Sequence, residues 1–363
     1  MIATSRRTVR VEVPDAPPNL WFPRSDCTVD PASLTIAVDD VPPHLDGHVT
    51  FDPGRVEVEL VDGGDGDDRR GLAVTRFPNW GDASDLADVL DVRTVGAGAY
   101  RSVARSDWRR PVVEGSQILG QAMVAAQRRS GGRRTVWAAM AFARVADAGR
   151  PLDLTLDAVA DGRTFSTYAA QVAQAGKVCA SGTVLLDETS PDVVRHSVPA
   201  PDVPGPLDCP HFDMSVTGRD VRFVDDAYTG DPDAPVGPPV LDAWVRFRRL
   251  PDDPALHVGL LAQFTGHLPI AAALRPHAGI GQDRAHRTLS TAINAITISI
   301  HAEVHADRWM LYHHESTFAG DGMTHAECRV HDETGALLAS FGVEAMLRPF
   351  AEPGAAHDDR TAL

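Results

Sequence analysis

The chain has 363 residues, of which 43% are hydrophobic and 23% charged, so it is long enough for two ordinary domains with buried cores. No run of about 18 apolar residues occurs, and we expect neither a membrane helix nor a signal peptide. The net charge of −16, from 50 acidic and 34 basic residues, would repel a nucleic-acid backbone. Four widely spaced cysteines without a Cys-x-x-Cys pair favour a reducing, cytoplasmic location.

Residues 1–83 alternate short β-like runs with turn-rich breaks. The runs are Thr8–Val13, Leu34–Val38 and Val56–Leu60, and the breaks are rich in Pro, Asp and Gly. We predict a β-rich N-terminal extension, and nothing in its sequence assigns it a role.

Residues 84–190 begin with a short helix-like pattern over Asp85–Val92 and continue into a longer predicted helix over 114–129. Ser116 supplies a capping signal for that helix, and basic residues fill its last turn. Four strand-like stretches follow, separated by Gly, Pro or Asp-Gly breaks: Arg134–Val145, Leu152–Ala160, Thr164–Val172 and Val178–Leu186. One helix followed by antiparallel strands predicts an α+β module.

A Pro-rich linker is predicted over 191–240, and the same pattern then repeats over 241–350, before a tail of 351–363. The repeat has a strand at Leu241–Arg248 and a helix-like stretch at Ala255–Leu274. Its strands are predicted near Thr288–Ile300, Trp309–Thr317, Met323–His331 and Leu337–Leu347. Two modules of similar length indicate an internal duplication.

Several motifs in both modules resemble those of the acyl-CoA thioesterase II family. Segment 114–122 reads Glu-Gly-Ser-Gln-Ile-Leu-Gly-Gln-Ala, similar to the family's Phe-Gly-Gly-Gln-x-x-Gly-Gln-Ala. The second module matches at Leu274-Arg-Pro-His277, Gly279, His301, Trp309-Met-Leu-Tyr312, Glu315-Ser-Thr317, Gly335, Ala339-Ser340, Glu344 and Arg348. The resemblance covers about residues 84–349 and implies a double-hotdog fold, in which two antiparallel sheets each wrap a helix. It also implies acyl-CoA thioester hydrolysis.

The resemblance also shows where this chain departs from the family's catalytic set. That set is an Asp on the second helix, a Thr on the following strand and a Gln on the last strand. Counting from the matched motifs, these positions fall on Gly266, Ile293 and Val343, so all three polar groups are replaced. The family mechanism therefore cannot be carried over residue by residue.

The start of the first helix offers parts of a replacement site. Residues Gly115, Ser116 and Gln117 would present backbone N–H groups and the positive end of the helix dipole to a developing oxyanion, and we expect them to bind substrate. Glycine at 115 would let a thioester approach without a Cβ in the way.

Three polar side chains are candidates for the catalytic groups. Glu114 replaces an aromatic residue of the family and is predicted to act as general base or nucleophile; alternatively, it stabilises the helix dipole. His267, next to the vacated Asp position, can act as a base or can be an ordinary packed histidine. Asn294, near the vacated Thr position, can orient water or can lie on an outer strand face.

A metal site is a further reading of the second module, because His313 with Glu315 and His325 with Glu327 alternate on strands and can converge across a hairpin. We expect no metal, since neighbouring positions coincide with residues of a family that uses none. We also expect no cofactor apart from CoA as part of the substrate.

The leading prediction is a cytoplasmic double-hotdog enzyme of lipid metabolism that hydrolyses an acyl-CoA or acyl-carrier thioester. A hotdog hydratase or dehydratase acting on a 3-hydroxyacyl thioester stays open, although the short Asp-x-x-x-x-His motif of that class is not evident. A non-catalytic acyl-thioester binding protein also stays open. Arginines such as Arg109, Arg110 or Arg246 would have to attract the CoA phosphates locally. We expect a homo-oligomer, and neither nucleic acid nor membrane as a partner.

Overall fold

The computed structural model describes residues 83–103, 112–209, 219–224, 235–247, 252–285 and 288–350, together with the backbone of six strands within residues 1–82. Those six strands form two three-stranded antiparallel sheets, ordered β1-β3-β2 and β4-β5-β6. Their bounds are β1 Arg7–Arg10, β2 Val29–Asp30, β3 Thr35–Val38, β4 Leu45–Asp52, β5 Arg55–Asp62 and β6 Arg70–Thr75. The predicted β-rich N-terminal extension is present.

The rest of the described chain forms four α-helices, two short 3-10 turns and twelve strands. The helices are α1 Ala83–Leu90, α2 Gly115–Arg129, α3 Pro254–Phe264 and α4 Pro269–Leu274, and the turns are Pro206–Asp208 and Gln282–Arg284. The strands are β7 Arg93–Gly96, β8 Ala99–Arg101, β9 Arg134–Phe142, β10 Asp153–Asp161, β11 Phe165–Gln174, β12 Lys177–Asp187, β13 Arg219–Phe223, β14 Val240–Phe247, β15 Leu289–Ile300, β16 Met310–Gly320, β17 Met323–Asp332 and β18 Leu337–Pro349.

All twelve strands belong to one antiparallel sheet with the order β13-β14-β16-β17-β18-β15-β9-β12-β11-β10-β8-β7. The strands of each module are contiguous, and the two modules meet where β15 pairs with β9, with Thr297 opposite Ala139. In each module a long helix precedes four strands, as the duplication predicts. Burial alternates along the strands; on β11, for example, Tyr168, Ala170 and Val172 are buried while their neighbours are not.

Helices α2 and α3 pack side by side in opposite directions. Residues 116–127 of α2 are buried all round, as expected for a helix held between a sheet and a second helix. The two helices approach closely through glycines: a Cβ on Gly120 would lie 2.7 Å from the carbonyl oxygen of Gly259. The start of α2 therefore lies beside the end of α3.

The helix predicted over 255–274 is instead two helices with a break between them. Helix α3 ends at Phe264, and α4 begins with Pro269 at its first turn. Proline disfavours a helical residue before it, and Leu268 adopts a left-handed conformation with φ +71°. His267 lies within this break.

The predicted linker contains an edge strand that the sequence pattern did not reveal. Strand β13 pairs with β14, placing Arg219 opposite Phe247 and Asp220 opposite Arg246. Five residues with three charged side chains do not give an apolar alternation, which is why the strand was missed. The predicted domain boundaries themselves stay predictions.

Candidate active site

A cavity of about 500 Å³ lies where the start of α2, the break between α3 and α4, and the first residues of β15 meet. Its volume is in the range that holds small-molecule ligands. The walls are mostly apolar, and the polar residues lie mainly at the start of α2, in the break between α3 and α4, and on β15. The lining comprises Val112, Val113, Glu114, Gly115, Ser116, Ile118, Phe142, Ala143, Arg144, Val145, Gly266, His267, Leu268, Ile270, Gln282, Ser290, Thr291, Ala292, Ile293, Asn294 and Met346.

Glu114 occupies the N-cap position of α2, but its side chain makes no capping hydrogen bond to the helix. The backbone of Glu114 is extended, with φ −68° and ψ 141°, and the helix begins at Gly115. Ser116 therefore lies within the first turn and is not the cap, contrary to the sequence prediction. Instead of capping, the Glu114 carboxylate accepts a hydrogen bond from Gln263 of α3, with 2.9 Å between Nε2 and Oε2.

Glu114 is the half-buried member of a polar cluster whose other members, Gln263, His267 and Arg219, are buried; we call it the Glu114 cluster. His267 Nε2 lies 3.5 Å from Glu114 Oε2. Arg219 reaches both other partners, with NH1 2.9 Å from His267 Nε2 and 3.3 Å from Gln263 Oε1. The structure thus brings the predicted candidates Glu114 and His267 together and adds two residues that sequence reasoning missed.

Arg219 is a buried cation, with 3% of its surface exposed. Burial lowers its pKa to about 10, and attraction to the Glu114 carboxylate opposes that shift. The guanidinium remains protonated at neutral pH and lies over the ring of Phe264, 5.1 Å from the ring centre.

His267 does not have the arrangement expected of a free general base. An arginine only donates hydrogen bonds, so Nε2 of His267 accepts from Arg219 and the imidazole is neutral with its proton on Nδ1. The lone pair that would take a proton is already engaged. This geometry favours Glu114 over His267 as the base.

Ser116 and Gly266 fit against each other at the cavity wall. Ser116 is 1% exposed, and its hydroxyl has no hydrogen-bond partner among the described residues. A Cβ added to Gly266 would lie 2.5 Å from that hydroxyl oxygen. The position where the resemblance expects an Asp therefore has no room for a side chain, and the polar group at this point comes from the first module.

The space left by the missing Cβ of Gly115 is filled by an aromatic ring. A Cβ there would lie 2.9 Å from two ring carbons of Phe142, at the end of β9. The glycine thus allows close packing of Phe142 on the helix start, whereas the sequence prediction had a thioester entering at this point.

The remaining predicted site residues divide into one that reaches the cavity and one that does not. Asn294 is exposed and lines the cavity, because it is the extra residue of a bulge between Ile293 and Ala295. Gln117 is buried but lies outside the lining, since a helix turns about 100° per residue. Thr291 lines the cavity and is largely buried.

The other two vacated family positions carry apolar side chains. Ile293 lines the cavity. Val343 is 1% exposed, lies in the core and faces Ile296 across β15. Ile293 makes its part of the wall hydrophobic, and neither side chain provides an acid, base or hydrogen-bond donor.

His313 and His325, considered above for an alternative metal site, pair with carboxylates of neighbouring strands. His313 Nδ1 lies 2.7 Å from Asp242 Oδ1, and His325 Nδ1 lies 2.7 Å from Glu344 Oε1. Within the described ranges, no group of three or more metal-ligating side chains occurs.

The arginines proposed to attract CoA phosphates have different placements. Arg246 lies over Trp309, with 4.5 Å to the ring centre, and its NH2 is 3.4 Å from Asp220 Oδ2. It is therefore engaged in packing the sheet. Arg109 and Arg110 lie outside the described residues.

Two helix-wrapped modules in one sheet, with a carboxylate and a helix start facing an apolar cavity, define a double-hotdog protein of the thioesterase class. Family models confirm the assignment. The acyl-CoA thioesterase N-terminal domain matches residues 104–186, and the acyl-CoA thioesterase C-terminal domain matches residues 194–342. The chain belongs to the acyl-CoA thioesterase family.

Individual relatives agree with the family assignment. Mouse acyl-coenzyme A thioesterase 8 is 25% identical over 268 residues, covering 64% of this chain and 79% of that protein. The acyl-CoA thioesterase II TesB2 of Mycobacterium marinum has a TM-score of 0.61 and 25% identity, covering 73% of this chain and 99% of that structure. The tesB protein of Mycobacterium avium subs paratuberculosis has a TM-score of 0.62 and 21% identity, with the same coverage, and supports the fold. None of the helices described for this chain is long and apolar enough to cross a membrane.

Proposed function

We propose that this protein hydrolyses an acyl-CoA thioester at the start of α2, with the Glu114 carboxylate as general base. The observation that carries the proposal is the placement of Glu114 at the edge of an apolar cavity, hydrogen-bonded to the opposite helix and not to its own. Glu114 is partly accessible, with 17% of its side chain exposed, so water and substrate can reach it.

The reaction needs a base, an oxyanion site and a slot for the acyl chain, and the cavity offers each. Glu114 takes a proton from a water molecule whose oxygen bonds to the thioester carbonyl carbon. We propose that the backbone N–H groups at the start of α2 and the hydroxyl of Ser116, a lining residue, stabilise the oxyanion. As the C–S bond breaks, the thiol leaves with the proton returned by Glu114, and the acyl group leaves as a carboxylic acid.

The apolar wall is suited to the acyl chain. The apolar side chains that line it include Ile118 of α2, Phe142 of β9, Ile270 of α4 and Met346 of β18. Asn294 lies exposed at the lining and is proposed to orient water or substrate. We propose that CoA enters only as part of the substrate and that the reaction uses no other cofactor.

The experiment is thiol release from short, medium and long acyl-CoAs by the full chain, with Glu114→Gln beside the wild type. The variant keeps the size and removes the base, so we expect kcat to fall by about 10²- to 10⁴-fold with folding unchanged. Asp253→Asn is the matched control, because Asp253 caps the other module's helix away from this cavity. A folded Glu114→Gln variant with wild-type turnover would exclude Glu114 as the base.

A wild type that binds acyl-CoA without releasing thiol would instead identify a non-catalytic binding protein. Loss of enoyl absorbance with crotonyl-CoA would identify a hydratase. Both outcomes contradict the proposal.

We further propose a cytoplasmic enzyme of lipid metabolism that forms a homo-oligomer and accepts acyl-CoA or acyl-carrier substrates. The buried free thiols of Cys179 and Cys328 fit a reducing compartment. Light scattering and cell fractionation test these points.

A further inference from the structure

Given the proposed function, we propose that Arg219 is a positioning residue that prepares Glu114 as the base by fixing Gln263 and His267. Arg219 lies on edge strand β13 of the second module, far in sequence from the start of α2. It does not line the cavity, so it acts through its neighbours and not on the substrate.

The first step is the orientation of Gln263. A glutamine side chain can present either its oxygen or its NH₂ group to Glu114. Arg219 donates to Gln263 Oε1 at 3.3 Å, which leaves Nε2 to donate to Glu114 at 2.9 Å. The ionised carboxylate of Glu114 only accepts hydrogen bonds and favours the same orientation, and Arg219 holds the amide in place by binding its oxygen.

The second effect of Arg219 is to keep His267 unprotonated. Arg219 donates to Nε2 at 2.9 Å, and this holds the imidazole neutral. A protonated His267, with Nε2 3.5 Å from Glu114 Oε2, would instead form an ion pair that weakens the carboxylate as a base. With Arg219 in place, the positive charge of the cluster lies on the Arg219 guanidinium and not on the His267 imidazole next to Glu114.

The third step is the charge balance around Glu114. Arg219 is the buried cation that attracts it, and the first turn of α2 carries no acidic residue. Arg144 after β9 is exposed at the cavity lining. Tyr312 of β16, behind Phe264, donates its hydroxyl to Leu261. The described groups facing this cluster thus favour an ionised Glu114.

Arg222 on the same strand offers a matched control. It is also largely buried, but it lies on the opposite face, with Nε 3.5 Å from Asp220 Oδ1 and its guanidinium 5.6 Å from the ring centre of Trp309. Replacing it removes a buried arginine from β13 without touching the Glu114 cluster.

The test compares wild type, Arg219→Gln, Arg219→Lys and Arg222→Gln as full chains. The readouts are the pH profile of acyl-CoA hydrolysis, thermal melting, and ¹⁵N chemical shifts of labelled histidines, with His267→Gln assigning the His267 signal. We expect Arg219→Gln to lower kcat at least tenfold. Without Arg219, protonation of His267 beside Glu114 weakens the base, so the acid limb of the profile should follow that protonation and move to higher pH by about one unit. The His267 signal should leave the position of the neutral Nδ1–H form.

Lysine retains the positive charge but lacks the planar guanidinium that directs N–H groups to both Gln263 and His267. Arg219→Lys should therefore restore the acid limb while kcat stays low. It also serves if Arg219→Gln does not fold. Arg222→Gln should leave the acid limb and the His267 signal unchanged.

The outcomes separate this inference from the proposed function. An active wild type whose acid limb and His267 signal survive Arg219→Gln would overturn the role of Arg219 and leave the hydrolysis standing. If wild type shows no hydrolysis, the proposed function fails, and the ¹⁵N shifts still decide whether Arg219 fixes His267.

Discussion

Glu114 and Asp253 hold equivalent places in the two modules, because each is the residue that precedes a long helix. Asp253 accepts a hydrogen bond from the backbone N–H of Ala255 at 2.9 Å, and Arg128 from the end of α2 bridges it to Asp91. Glu114 makes no such bond to its helix and is held by Gln263 of α3. The two ends of the α2–α3 pair thus use a carboxylate in different ways.

The length of the side chain accounts for part of this difference. Aspartate is short enough to fold back onto the N–H groups of its own helix, and it is among the preferred capping residues. Glutamate has one more methylene and extends across to the neighbouring helix. A carboxylate at a helix start thus has a structural role when it accepts hydrogen bonds from its own helix, as Asp253 does. It is available for chemistry when another element holds it beside a cavity, as Gln263 holds Glu114.

Among the changes that test this comparison, the largest effect is expected from Glu114→Asp, which gives the first module the capping residue of the second. The shorter side chain withdraws the carboxylate from Gln263 and allows it to cap α2. We expect kcat/KM for acyl-CoA hydrolysis to fall by about 10²-fold, as a misplacement of about 1 Å can cause. The melting temperature should not fall, since a cap is gained.

The converse variant, Asp253→Glu, is the control for that exchange. It loses a preferred cap away from the cavity and should retain wild-type kinetics. Unchanged activity in Glu114→Asp would show that the reach of the carboxylate is irrelevant.

A smaller effect is expected from Gly266→Ala, which places a Cβ 2.5 Å from the Ser116 hydroxyl oxygen. Displacing that hydroxyl should lower kcat by about tenfold or more, and overpacking should lower the free energy of unfolding by about 1–3 kcal/mol. Chemical denaturation and thiol release measure the two effects.

Gly96→Ala is the matched control, because a Cβ there meets only Ala99 at an ordinary 3.6 Å. Combining Gly266→Ala with Ser116→Ala should recover part of the lost stability without recovering activity. Strictly additive stability changes would show that the two residues do not interact.

The smallest effect concerns Asp253 at the start of α3 and the pH dependence of the stability it contributes. Burial opposes ionisation of Asp253, but hydrogen bonds from Arg128 and from the Ala255 N–H outweigh burial and hold its pKa below the usual value. Because the folded-state pKa is depressed, its contribution to stability is present above the unfolded-state pKa of about 3.9 and is lost as the pH falls below it.

Asp253→Asn keeps a preferred cap but removes the charge paired with Arg128, so it should lower stability near neutral pH by about 0.5 kcal/mol and flatten the loss of stability in acid. Melting temperatures between pH 6 and pH 2.5 check this. An equally steep acid loss in the variant would assign the acid sensitivity to other carboxylates.

Much of the fold could be predicted from the sequence because it depends on local patterns. Helix α2 and the four strands after it follow from periodicity and turn residues, and the second module repeats the same order. The break before Pro269 was missed, although Gly266 and Pro269 signal it, because the apolar run continues through them. Strand β13 was missed because charged residues dominate it.

The candidate site was only half predictable. Glu114 and Ser116 could be found because they lie at a recognisable helix start, and His267 because it adjoins a position fixed by a motif. Gln263 and Arg219 carry no local signal, since what matters is their distance from Glu114 and not their neighbours in sequence.

Local sequence patterns specify two modules, their helix–strand order and a carboxylate at the first helix start, since backbone periodicity and capping chemistry act over a few residues. Which carboxylate caps its helix and which faces a cavity depends on how the helices pack. The antiparallel packing of α2 on α3 brings Gln263 to Glu114 across 149 residues, and the pairing of β13 with β14 adds the cation of Arg219. Hydrogen bonding and charge attraction operate over a few ångströms of space, so a role that depends on them is settled only when the chain is folded.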